Sequence, residues 1–338
     1  MQLSKIPIIQ APMAGGITTA RLIAAVSNAG GLGSVGAGYM QPDELRCLIQ
    51  EVRALTDKPF SVNLFVPQKH QASISQLQAM QTILAQVTKE LEFQPKIPTP
   101  PYSPDFDEQL AIVLAAKVPV VSFTFGIPDK EYLAELKRQN IIIIGTATSV
   151  EEAILWQAHS ADMIVVQGAE AGGHRGTFAH AMEQGLVPLM SLIPQVKQAV
   201  SVPIIAAGGL MLPLQINKAF SLGVAAVQVG TAFITTEESG ASMAYQEALL
   251  QAKKDTTVLT KAYSGKYARG LANQFTERMQ AYEKDILDYP IQNAFTAPIR
   301  KAAGTQNNPD FLSLFAGQGV QHCKKMTAAQ LIKVLMGV

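Results

Sequence analysis

Met163-Ile-Val-Val-Gln-Gly-Ala-Glu-Ala-Gly-Gly-His-Arg-Gly176 is the stretch from which the fold can be read. An uncharged run, Met163 to Val166, enters a segment holding Gln167, Gly168, Glu170, Gly172, Gly173, His174, Arg175 and Gly176. A buried parallel strand handing over to a loop makes that change of chemistry, and in such folds ligands sit at that end of the strand. His174 is therefore a candidate for chemistry, because an imidazole changes charge near neutral pH. A tight Gly-Gly-His turn with a solvated ring fits the same residues.

The same alternation extends in both directions. Upstream, Ile141-Ile-Ile-Ile-Gly-Thr146 is a continuous β-branched run, the pattern of a strand covered on both faces. Ser149 then caps a helix with Glu151 and Glu152 in its first turn. Earlier strands are expected within Ile6 to Met13 and over Leu32 to Val35, Phe60 to Phe65 and Val118 to Thr124; later ones over Val202 to Gly209 and Ala225 to Thr231. Helical spacing fills the intervals, including one long amphipathic stretch from Gln68 to Glu92. About eight strands alternating with helices predict an α/β fold, a closed (β/α)8 TIM barrel over residues 1–235. Residues 236–320 are expected to be an added, mainly helical region covering the active site, with a short strand-like piece at Thr256 to Thr260 and a helix from Ala272 to Leu287. Residues 321–338 are expected to form a closing helix that packs back on the barrel.

Two features are set aside. Gly31-Leu-Gly-Ser-Val-Gly36 matches the dinucleotide fingerprint GxGxxG, but a helix precedes it where the fingerprint needs a strand. Gln94 to Pro104 holds five prolines and is an irregular excursion.

A chain of 338 residues with 48% hydrophobic residues can bury a core of barrel size. Its formal net charge of +1, without a basic run, gives no footprint for nucleic acid or an anionic membrane surface. Cys47 and Cys323 lie far apart and lack metal-ligand spacing, so no metal site is expected and both read as cytosolic thiols. No apolar run approaches a bilayer span. A soluble cytoplasmic protein, a monomer or weak homodimer, is the expectation.

The strand ends carry the remaining chemistry. Ala206-Ala-Gly-Gly-Leu210 and Gln228-Val-Gly-Thr-Ala232 end the seventh and eighth strands, where this fold usually binds phosphate. Without a Walker lysine, a phosphorylated cofactor fits better than a hydrolysed nucleotide. Pro12, Met13, Asn63 and Gln167, at other strand ends, offer the backbone, thioether and amide groups a flavin ring would need.

Taken together, Gln10-Ala-Pro-Met13, Ser61-Val-Asn-Leu-Phe65, Val166 to His174, Ala206 to Gly209, Gln228 to Thr231, Ser264-Gly-Lys-Tyr-Ala-Arg-Gly270 and Leu314-Phe-Ala-Gly-Gln-Gly319 resemble the nitronate monooxygenases, formerly 2-nitropropane dioxygenases. The Glu-Ala-Gly-Gly-His loop is shared with flavin-dependent enoyl-acyl carrier protein reductases and quinone reductases. The resemblance implies FMN held by Pro12, Met13, Asn63, Gln167, Gly172, Gly208, Gly209, Gln228, Val229, Gly230 and Thr231, and His174 as base or polarising group. It implies oxidation of alkyl nitronates, such as propionate 3-nitronate, with O2 to a carbonyl compound and nitrite or nitrate. The alternative is an FMN-dependent NAD(P)H reductase. Thr124 stands where some members carry a second histidine, and Lys266 and Arg269 are weak candidates for binding an anionic substrate.

Overall fold

Apolar runs bounded by glycine and proline become the strands of one sheet in the computed structural model, which describes residues 3–338. Along the chain the strands are β1 (Ile8–Gln10), β2 (Gly33–Gly36), β3 (Phe60–Phe65), β4 (Val120–Thr124), β5 (Ile142–Ala147), β6 (Met163–Gln167), β7 (Gly173–His174), β8 (Ile204–Ala207), β9 (Ala226–Val229), β10 (Thr257–Thr260) and β11 (Ala268–Leu271). Eight of them form a parallel sheet in the order β1-β9-β8-β6-β5-β4-β3-β2. A parallel bridge between Ile9 and Leu32, with Gln10 N–H donating to Leu32 O at 2.9 Å, joins β1 to β2 and closes the barrel. The protein is a (β/α)8 barrel.

Side-chain alternation explains why these strands read as unbroken apolar runs. Ile144, Met163, Val165 and Ile205 fill the barrel interior, while Ile143, Ile164 and Val166 pack outward against the helices. Each such buried side chain contributes about 1.5–3 kcal/mol. Helix starts follow the caps: the side chains of Thr19, Ser73, Asp105, Ser149 and Thr327 all accept from backbone N–H groups three residues on. No helix among the described residues is long and apolar enough to cross a membrane.

Three segments differ from the sequence reading. The helix expected over Gln68 to Glu92 spans Ile74–Val87, because Ser73 and Gln76 form a capping box that fixes its start. The helix expected over Ala272 to Leu287 is Gln274–Met279 followed by a 3-10 segment with a non-helical Tyr282. An unforeseen 15-residue helix, Ile291–Thr305, follows Pro290 and contains Pro298.

Residues after the barrel also form a second sheet, in the order β10-β11-β7. Its outer member is the Gly173–His174 pair from the loop after β6, matched antiparallel so that His174 faces Ala268 and Gly173 faces Arg269. The added region is therefore stitched to the loop that carries the histidine.

The GxGxxG segment serves packing. A Cβ on Gly33 would lie 2.3 Å from Ile23 O, and one on Gly36 would lie 2.5 Å from Met13 C. These glycines let the preceding helix and the 11–14 segment approach β2.

Candidate active site

At the C-terminal ends of the barrel strands lies a cavity of about 1210 Å3, counting the space open at its mouth. His174 and all eleven residues named above as cofactor contacts line it. Among the described residues no carboxylate does, so the wall consists of neutral donors, apolar groups and one imidazole.

His174 is fixed from several sides. Its Nε2 lies 2.8 Å from Ser264 Oγ and 3.4 Å from Tyr39 Oη. The rings of Tyr39, Phe65, Phe125 and Phe315 stand edge-on around the imidazole, with centroids 5.2–6.3 Å away. Phe125 holds this place with φ of +79°, a left-handed conformation costly for a bulky residue. Burial in this cage, then the charges of Arg300 and Lys266, push the His174 pKa down to about 3. The expectation of an imidazole titrating near neutral pH is thus corrected: the aromatic walls and two nearby cations keep the ring neutral.

The loop around it is held by its own polar groups. Gln167 donates from Nε2 to His174 O at 3.0 Å and accepts Gly176 N–H at 2.9 Å, so its amide bridges the two ends of the turn. Arg175 points away from the cavity and donates to the carbonyls of Gly168, Gln167 and Gly185, while its buried Nε has no partner among the described residues. The Gly317 and Gln318 N–H groups donate to Thr231 Oγ1 and Glu170 O, which ties the C-terminal loop to both the eighth barrel strand's end and the histidine loop.

Other strand-end groups remain uncommitted. Among the described residues Gln228 makes no hydrogen bond through its side chain, and Asn63 uses only Nδ2, donating to Ser122 Oγ at 2.9 Å and Thr124 Oγ1 at 3.2 Å. Thr124, where the resemblance leaves a second-histidine role open, accepts from Asn63 and helps orient it. Gly208 and Gly209 have φ of +132° and +67° and line the same cavity wall as Gly230 and Thr231.

Lys266 and Arg269 stand behind the cavity wall, not in its lining. The Lys266 ammonium lies 4.6 Å from the centre of the Phe125 ring. Arg269 is buried and spans from Ala169 O at 3.1 Å to Thr257 Oγ1 at 3.3 Å. Neither lines the cavity. Sequence reasoning missed Tyr39, Phe125, Ser264 and Arg300. Ser264 begins one of the quoted motifs and could have been found there, whereas Arg300 lies on the helix that the sequence reading did not mark.

Comparison with known proteins fits this geometry. The family model for nitronate monooxygenase matches residues 1–337. A probable nitronate monooxygenase of Staphylococcus saprophyticus is 43% identical over 332 residues, covering 97% of this chain and 93% of the relative. One from Staphylococcus aureus (strain Newman) is 44% identical over 313 residues, covering 92% and 88%. Among solved structures, nitroalkane oxidase from Streptomyces ansochromogenes superposes with a TM-score of 0.91 at 39% identity, covering 99% of this chain and 96% of that one. FabK from Thermotoga maritima gives 0.78 at 30% identity, covering 99% and 92%. With the barrel, the histidine loop and a family match spanning nearly every residue, the chain belongs to the nitronate monooxygenase family and is an oxidoreductase.

Proposed function

We propose that the protein is an FMN-dependent nitronate monooxygenase that oxidises alkyl nitronates, propionate 3-nitronate among them, with O2 to a carbonyl compound and nitrite or nitrate. The observation that carries this reading is the neutral, caged His174 on a cavity wall without carboxylates, flanked by the charges of Lys266 and Arg300. Such a site favours a substrate that arrives already anionic.

The residues present suit FMN. Gln228 and the Oδ1 of Asn63 are free to meet ring nitrogens and carbonyls, and Gly208, Gly209, Gly230 and Thr231 offer backbone and hydroxyl groups for a phosphate. A Cβ at Gly230 would meet only Ala11 Cβ at 3.4 Å and Met13 Sδ at 3.9 Å, so this wall faces open space. When bound, the flavin supplies the redox chemistry.

The chain's own groups orient the substrate. If the Ser264 proton is given to Nε2 across the 2.8 Å contact, Nδ1 carries the ring proton. Nδ1 has no partner among the described residues, so it is left to donate to a nitronate oxygen. The aromatic cage lowers the local polarity around that contact and strengthens it. A ring with a pKa of about 3 is a weak base, so proton removal from a neutral nitroalkane is the slower reaction here.

The likeness to FabK supports a second reading, an FMN-dependent reductase using NAD(P)H. Anaerobic mixing of the purified protein with NADH separates the two. Under the monooxygenase reading the protein is yellow, its flavin stays oxidised, and O2 is consumed on adding propionate 3-nitronate without NADH. Rapid bleaching of the flavin by NADH would establish the reductase instead, and a colourless protein unable to take up FMN would sink both.

A further inference from the structure

A second chamber adjoins the first. It shares Ala14, Ile17, Tyr39, Tyr245 and Phe315 with the His174 cavity, so Tyr39 and Phe315 form a common wall. On its far side stand Pro101, Tyr102, Ser103 and Pro104 from the proline-rich excursion, and Asn293, Arg300 and Lys301 from the helix Ile291–Thr305. Two segments without a role in the barrel thus meet over one space beside the reacting end.

Arg300 is the charged group of that space nearest to a defined polar setting. Its Nη2 donates to Asn293 Oδ1 at 2.6 Å and its Nε reaches Thr296 O at 3.4 Å, while Nη1 has no protein partner among the described residues. It enters no ion pair among those residues. Burial lowers its pKa; burial also pushes Tyr39 up to about 12, against the pull of the Arg300 charge, and pushes His174 down, with that charge adding to the shift. A guanidinium partly shielded from water with no carboxylate beside it is stabilised when an anion joins it. A free N–H edge suits a planar carboxylate, which Arg binds with two parallel bonds.

Resting on the monooxygenase reading, we propose that Arg300 anchors a carboxylate at the far end of the substrate, so that this chamber selects nitronates that carry an acid group a short chain from the reacting carbon. Asn293 positions the guanidinium. The proline-rich excursion closes the chamber over the tail. Lys266 and Arg269 then have no part in holding that group, since neither lines either chamber.

The test compares the holoenzyme with Arg300→Gln on two preformed nitronates, propionate 3-nitronate and propane 1-nitronate, which lacks the acid. The ratio of their kcat/KM values is expected to fall about 10- to 100-fold in favour of the uncharged tail, mainly through KM. A ratio that does not move, with flavin bound and the protein folded, overturns the assignment. If Arg300→Gln does not fold, Arg300→Lys keeps the charge and loses the fork, and the ratio should still fall by about threefold or more; an unchanged ratio there overturns it equally. Calorimetric titration with 3-nitropropionate provides a readout without turnover. Weaker binding by the variant supports the anchor even if the wild type oxidises neither nitronate, a result that would overturn the monooxygenase reading alone. Equal binding by both proteins overturns the anchor.

Discussion

Ser264 Oγ stands 2.8 Å from Nε2 of His174 across 90 residues of sequence. The serine also accepts Lys266 N–H at 3.2 Å, so the turn at 264–266 and the histidine loop share one hydroxyl. Replacing Ser264 by Ala should leave the flavin bound and lower kcat on a nitronate by about fivefold to tenfold, the worth of one hydrogen bond. Oxygen uptake and flavin content measured on the same preparation check this. An unchanged kcat would show that the hydroxyl does not set the ring.

The depressed pKa of His174 gives two pH signatures. In the free enzyme the ring is neutral above about pH 3, so kcat/KM for a preformed nitronate should show no histidine step from about pH 5 to 9. A step near 6.5 that disappears in His174→Gln would contradict the caged, neutral ring.

Stability has the matching sign. The unfolded chain binds this proton at the ordinary value of 6.5 and the folded chain only at about 3, so between those values the unfolded state holds more protons. The contribution is complete above 6.5 and is lost as pH falls toward 3. Urea unfolding from pH 7 down to 4 should therefore show a steeper fall for wild type than for His174→Gln. Parallel slopes would be the contrary result.

Gly172 is required by close approach. A Cβ there would lie 2.4 Å from Gly317 N and 2.5 Å from Ala316 C, both backbone atoms with little freedom to yield. Gly172→Ala should cost about 1–3 kcal/mol and weaken flavin retention, because the histidine loop and the 316–318 segment must part. Thermal unfolding and flavin released on dialysis measure the two effects. A substitution tolerated in both would mean that the loops are not clamped.

Arg175 acts through backbone. Removing its guanidinium leaves the carbonyls of Gln167, Gly168 and Gly185 without those donors. Arg175→Met should destabilise by about 2–4 kcal/mol. Activity should fall further than flavin content, since the same carbonyls shape the entry to the histidine turn.

Much of this was legible in the residues, for a physical reason. Parallel strands covered on both faces need contiguous apolar runs, and Ile141 to Thr146 and Met163 to Gln167 supply them. Glycine-opened strand ends likewise mark Gly208, Gly209 and Gly230 as cavity lining. What was not legible is non-local. β7 is only Gly173–His174, and its partner lies some ninety residues on at Ala268 and Arg269, a pairing without local periodicity. The helix Ile291–Thr305 was hidden by Pro290 and Pro298, and Arg300 with it. The titration of His174 was misjudged because a cage made of Tyr39, Phe65, Phe125 and Phe315 is assembled from four distant segments.

The ladder between β7 and β11 also orders events along the growing chain. All eight barrel strands have been made once Val229 is in place, yet His174 has no fixed register until Ala268 and Arg269 are synthesised and folded against it. Pairing across such a separation carries its loop-closure entropy late in folding. Placement of the histidine is thus tied to the last quarter of the chain: a nick or deletion between residues 256 and 319 would remove the strand that sets the register of β7 and leave Gln167 and Arg175 to hold that turn alone.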